Sequence, residues 1–179
     1  MNKKALSENI LFKQMSEKEI TDSFVELNAK EKTYEKGEFI MNAGDVTDTM
    51  GLVISGSVTI ESNDLWGNCT ILSHVASGQF FAETYALLKE EVMLVDVRAN
   101  EDCNILFLNL KNLLQNPESS SWKRKFITSL LLISSQKNLA LSGRSFHTSP
   151  KSARGRILSY LNTVSLQKHS SEFDIPFNR

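Results

Sequence analysis

Between residues 36 and 110 the apolar positions come in short runs: Leu52-Val53-Ile54, Val58-Thr59-Ile60, Ile71-Leu72 to Val75, Val92 to Val97, and Ile105 to Leu108. Glycines recur from Gly44 near 56, 67 and 78, a spacing of 11 to 12 residues. Glycine accepts the positive φ that tight turns need. Short apolar runs punctuated this regularly predict an antiparallel sandwich or barrel. Six of the eight glycines (Gly37, Gly44, Gly51, Gly56, Gly67, Gly78) precede residue 79, and all three prolines (Pro117, Pro150, Pro176) follow residue 116. Turns therefore dominate the first part of the chain and helix boundaries the second.

Ser16 followed by Glu19 is a capping-box pattern ahead of Ile20, Phe24 and Leu27, and predicts a short helix there. Asn116-Pro117 reads as an N-cap with proline at the first helical position, and no glycine follows until Gly143. This predicts a helix from about Pro117 to Gly143. Trp122, Phe126, Leu130 and Ile133 form one apolar stripe, while Ile127, Leu131 and Leu132 extend the apolar surface beyond what one sheet covers. The simplest cover is the same helix of a second copy, which makes Phe126, Ile127, Leu130, Leu131 and Ile133 the candidate homodimer interface. Burial inside one domain is the alternative. Ser149-Pro150 repeats the cap-then-proline signal, so a second helix carrying Ala153, Ile157, Leu161 and Val164 is predicted after a break at residues 143–148. Lys151, Arg154 and Arg156 lie off its stripe as a solvated face. Phe173 to Phe177 reads as extended.

The chain has 179 residues, 41% hydrophobic and 23% charged, the composition of a folded domain with a smaller attachment. The formal net charge of -1 shows no overall basic excess of the kind a self-contained nucleic-acid binder carries. Two cysteines, Cys69 and Cys103, are too few for a disulfide framework and suit a reducing compartment, so a cytoplasmic protein is expected. No apolar run approaches the roughly 18 residues of a membrane span. His74, His147 and His169 are each more than 20 residues apart, without metal-ligand spacing. No P-loop, dinucleotide fingerprint or catalytic triad is visible, so neither an enzyme nor a resident cofactor or metal is expected.

Three stretches in combination carry a family resemblance: Tyr34-Glu35-Lys36-Gly37-Glu38-Phe39-Ile40, then Ala43-Gly44-Asp45, then Met50 to Val58. With Gly78-Gln79-Phe80-Phe81-Ala82-Glu83 and Asp96-Val97-Arg98-Ala99, the chain resembles the Crp/Fnr transcription regulators over about residues 10 to 177. The resemblance implies a mainly β fold with helices: a cyclic-nucleotide-binding-type β-roll (a double-stranded jelly roll), then a long dimerisation helix. It implies an effector-binding roll with its N-terminal helix at 1–115, a dimerisation helix and hinge at 116–148, and the start of a winged-helix DNA-binding domain at 149–179. The partners implied are a second copy, a small-molecule effector, and DNA only through a helix-turn-helix absent from this chain.

In the family's cyclic-nucleotide binders, a Gly-Glu pair precedes an arginine and a hydroxyl residue. Glutamate accepts from the ribose hydroxyl and arginine pairs with the cyclic phosphate, whose charge is costly to bury alone. Here Glu83 follows Ala82, and counting back from Val97-Arg98-Ala99 places Met93 at the arginine position and Leu94 at the hydroxyl position. Losing such a charge-assisted pair costs on the order of 2–5 kcal/mol. The effector expected is therefore something other than cyclic AMP, apolar or weakly polar, contacted by Phe81, Ala82, Glu83, Thr84, Met93 and Leu94. Ser134 and Ser135 resemble the hydroxyl pair that family dimer helices aim at the ligand. The alternative within the fold is a cyclic-nucleotide-binding regulatory subunit or stand-alone domain, and the redox alternative is haem held by Cys69 or His74.

Overall fold

The computed structural model describes residues 8–64, 66–88, 90–115 and 120–175. The chain divides into two compact units, Met1–Ile127 and Thr128–Arg179.

Among its described residues the first unit holds eight strands in two antiparallel sheets. Strands β1 (Lys30–Tyr34), β8 (Cys103–Asn109), β3 (Thr49–Ser55) and β6 (Phe80–Phe81) form one, in the order β1-β8-β3-β6. Strands β2 (Phe39–Met41), β7 (Asp96–Ala99), β4 (Ser57–Asn63) and β5 (Cys69–Ala76) form the other, in the order β2-β7-β4-β5. Gly44, Gly56, Gly67 and Gly78 all have φ between 79° and 93°, so the spacing read from the sequence marks real turns. The run Val92 to Val97 is shorter as a strand than its apolar character suggests. Only Asp96–Ala99 pairs as β7, and Val92 makes an isolated bridge to Val46.

Side chains alternate across a strand, and both faces of β3 are covered. Val53 points into the space between the sheets with Val58, Val75, Phe81, Met93, Val97, Cys103 and Ile105, one buried cluster. Met50 and Leu52, opposite Leu108 and Leu106 in the ladder, point the other way and are also at most 1% exposed. A layer of helix and turn accompanies that second face. Its helix α1 (Glu17–Glu26) starts in the expected capping box: Ser16 Oγ accepts from Glu19 N, and the Glu19 carboxylate accepts from Ser16 N. The helix ends with the Leu27 carbonyl accepting from Asn109 N at 2.8 Å, which ties it to β8. Helix α2 (Glu83–Leu88) interrupts the second half of the roll.

The long helix, α3, runs Ser121–Thr148. Its expected Asn116-Pro117 start lies outside the described residues. Its expected end is corrected, because the helix passes through Gly143. An interior glycine costs about 1 kcal/mol but stops a helix only where it takes a left-handed conformation, which Gly143 does not. The next helix, α4 (Ala153–Lys168), is capped by Ser152, whose Oγ accepts from Gly155 N at 3.0 Å, and not by Ser149 ahead of Pro150. Residues 172–175 form neither helix nor strand; Pro176 and Phe177, the rest of the expected extended segment, lie outside the described residues.

The first turns of α3 are tied to α1 by charge as well as packing. Phe126 sits 6.1 Å from Phe12 and 6.0 Å from Trp122, ring centre to ring centre. Lys123 pairs with Glu26 at 3.0 Å, and Lys125 with Glu19 at 2.8 Å. The hydrogen bonds of Lys125, then Ser121 and the Ser16 backbone, hold the Glu19 carboxyl down at about 2, from an ordinary 4.5. A carboxyl whose pKa falls on folding stabilises the fold above its unfolded value, and that contribution is lost as pH drops from about 4.5 toward 2. Glu19→Gln is expected to cost about 1 kcal/mol at pH 7 and to flatten the acid limb of stability. Urea midpoints measured from pH 7 down to pH 3 check it; an unchanged acid limb would show that Glu19 carries none of it.

Candidate functional site

The expected effector residues gather around α2. Phe81, the last residue of β6, pairs with Gly51 of β3 and is fully buried. Ala82 follows with φ 61°, a left-handed conformation that costs an ordinary L-residue roughly 1–2 kcal/mol. That conformation turns the chain so that α2 can begin, and the Ala82 carbonyl accepts from Ala86 N at 3.0 Å. Glu83 is the first residue of α2 and 5% exposed, whereas Thr84 is exposed.

Met93 and Leu94 do not both face a ligand, which corrects the picture of two oily side chains against a phosphate. Met93 is 1% exposed and belongs to the core cluster with Phe81 and Val53; Leu94 is 74% exposed. Neighbours in extended chain point to opposite sides. The backbone of Met93 fixes this choice, its N donating to Asp45 O and its O accepting from Gly44 N, both at 2.8 Å. Leu94 N donates to the Tyr85 hydroxyl at 3.3 Å. Tyr85, which sequence reasoning passed over, packs part-buried on the same core cluster.

Ser134 and Ser135 lie on α3 in the second unit. Ser135 Oγ donates to the Leu131 carbonyl at 2.8 Å, a local bond along its own helix. The expected interface residues divide. Phe126, Leu130 and Ile133 are 0%, 3% and 6% exposed within the single chain, so they need no second copy to cover them. Ile127 is half-buried, and Leu131 is 66% exposed.

Both haem candidates, Cys69 and His74, lie on β5. The single hydroxyl proton of Thr59 goes to Asn100 Oδ1 at 2.6 Å, so His74 Nδ1, 3.1 Å from the same hydroxyl, is the donor there. Cys69 is exposed. Burial, then the carboxylates of Asp102 and Glu101, push the buried Cys103 thiol above its usual range, as for an unreactive structural cysteine. Among the described residues no group of three or more His, Cys, Asp or Glu could hold a metal ion, and no helix is long and apolar enough to cross a membrane.

The net charge of -1 hides a segregation. From residue 119 to 171 the chain carries nine Lys and Arg and no Asp or Glu. Counting charge by segment would have found this.

The family model described as the cyclic nucleotide-binding domain matches residues 31–118. No curated protein sequence matches the chain significantly. Among solved structures, DNR from Pseudomonas aeruginosa superposes with a TM-score of 0.61 at 18% identity, covering 99% of this chain and 77% of that one. The Thermus thermophilus catabolite activator protein gives 0.59 at 24% identity, over 77% of this chain and 64% of its own. The regulatory domain of Toxoplasma gondii PKA, crystallised with cAMP, gives 0.57 at 19%, over 76% and 48%. Residues 31–118 thus match the cyclic nucleotide-binding domain family, in a fold shared with transcription regulators of the Crp/Fnr type.

Proposed function

We propose that the chain is the sensory and dimerising portion of a cytoplasmic Crp/Fnr-like transcription regulator, non-enzymatic, which binds a small effector other than cyclic AMP and controls a DNA-binding domain. On this reading the roll spans 1–115, the dimerisation helix and hinge 116–148, and the first part of the DNA-binding domain 149–179. The observation that carries it is the fate of the cassette: the residue in the arginine position, Met93, is a core side chain, and Leu94 offers no hydroxyl. A cyclic phosphate placed there would lose its water for no cation from either position. The run of cations without carboxylates along α3 and α4 suits a segment that works beside a polyanion.

Control of DNA binding requires that the effector favour one arrangement of the dimer over another. Leu131 keeps its place in the proposed interface, and the exposed face of α3 around it supplies the rest. A cyclic-nucleotide-dependent regulatory subunit with the same roll would need the phosphate contact that Met93 and Leu94 lack. Titration of the chain with cyclic AMP, followed by melting temperature, separates the two: no shift is expected up to about 100 μM, whereas saturation in the micromolar range stabilises by about 2.7 kcal/mol at a hundredfold excess over Kd. A shift of that size would reject the non-nucleotide reading.

A further inference from the structure

Two of the four non-glycine residues with positive φ among the described residues bracket helix α2: Ala82 at 61° and Glu90 at 62°. Strain of this kind persists only where surrounding contacts impose it, and it concentrates at clamps and switches. The contact that spans the bracketed segment is Tyr85. Its ring lies part-buried on the cluster containing Phe81 and Met93, and its hydroxyl accepts the Leu94 amide at 3.3 Å. An aromatic body on an apolar floor, with one oxygen on a backbone N–H, is how a small ligand is held: hydrophobic lining for affinity and a single polar contact for orientation.

We propose that the Tyr85 phenol is a built-in occupant of the effector site, and that the effector is an uncharged molecule of aromatic size with one oxygen acceptor, which displaces the phenol from the Leu94 amide. This inference rests on the sensor reading above. The site selects against anions, because its floor is the apolar core cluster and the stretch carries Glu83, Glu90 and Glu91. While Tyr85 is seated, the apparent affinity for any effector falls by the fraction of time the site is open.

p-Cresol, the tyrosine side chain as a free molecule, tests this on the full chain. Tyr85→Ala is expected to melt lower than the unsubstituted protein, to recover in millimolar p-cresol, and to bind it about tenfold more tightly by calorimetry. Toluene, which lacks the oxygen, should bind the variant several-fold more weakly than p-cresol. Equal p-cresol binding by both proteins, or toluene matching p-cresol, overturns the proposal. If Tyr85→Ala does not fold, Tyr85→Phe keeps the ring and removes the acceptor. Hydrogen exchange at the Leu94 amide should then speed up several-fold, and an unchanged rate overturns the proposal equally. The sedimenting mass of the unsubstituted chain is read separately: a monomer would sink the dimeric-sensor reading and leave the p-cresol result standing.

Discussion

Gly51→Ala is expected to destabilise the roll by about 3 kcal/mol, the upper end of what overpacking a close-packed core costs. The added Cβ would lie 2.1 Å from Phe81 Cζ and within 2.6 Å of two further ring atoms. Phe81 cannot yield easily, since it is fully buried in the cluster between the sheets and its neighbour Phe107 stands edge-on 6.5 Å away. Gly51 has no positive φ, so backbone freedom is not why it is glycine; the ring lies flat against its Cα and leaves no room for a side chain. Phe81→Leu removes the clashing edge, so Gly51→Ala/Phe81→Leu should be less destabilised than the two single changes combined, by about 1 kcal/mol or more. Urea denaturation of the four proteins measures both quantities. A Gly51→Ala midpoint indistinguishable from that of the unsubstituted protein would mean that Phe81 is not locked in place.

Gly51 also marks where legibility in the sequence runs out. Gly44, Gly56, Gly67 and Gly78 could be read because a turn imposes positive φ, a local requirement with a regular spacing. Gly51 answers to a ring thirty positions away, and no local pattern announces that. The capping box at Ser16 and Glu19 was legible for the same local reason, but the further use of Glu19 to hold Ser121 and Lys125 was not. Met93 and Leu94 were singled out by position, but that Met93 is buried and Leu94 exposed was not legible, because it is set by hydrogen bonds of Met93 to Gly44 and Asp45 half the domain away in sequence. Tyr85 escaped because an aromatic residue in a six-residue helix has no distinguishing pattern until its hydroxyl is seen on the Leu94 amide.

The same distinction reshapes the expected dimer seam. Excess apolar surface on α3 was legible from the sequence; which face of it stays uncovered was not. At about 100° per residue, Phe126, Leu130 and Ile133 share one face, and it is buried in the single chain. Leu132, Leu139 and Phe146, seven residues apart, fall on the opposite face with Leu131, at 50%, 75%, 69% and 66% exposure. A seven-residue apolar repeat is what a two-stranded coiled coil buries, and Ser135 and Ser142 on the same face leave room for close approach. Leu132→Asp/Leu139→Asp is therefore expected to give a folded monomer, with sedimentation falling from twice the chain mass to 20.1 kDa and the urea transition of the roll preserved. Phe126→Asp should act differently, unfolding the first unit by placing an unpaired carboxylate beside Phe12 and Trp122, at a cost of several kcal/mol. A dimer that survives both aspartates on the exposed face would place the two-fold contact elsewhere on the molecule. A Phe126→Asp variant that sediments as a folded monomer would return the seam to the buried stripe.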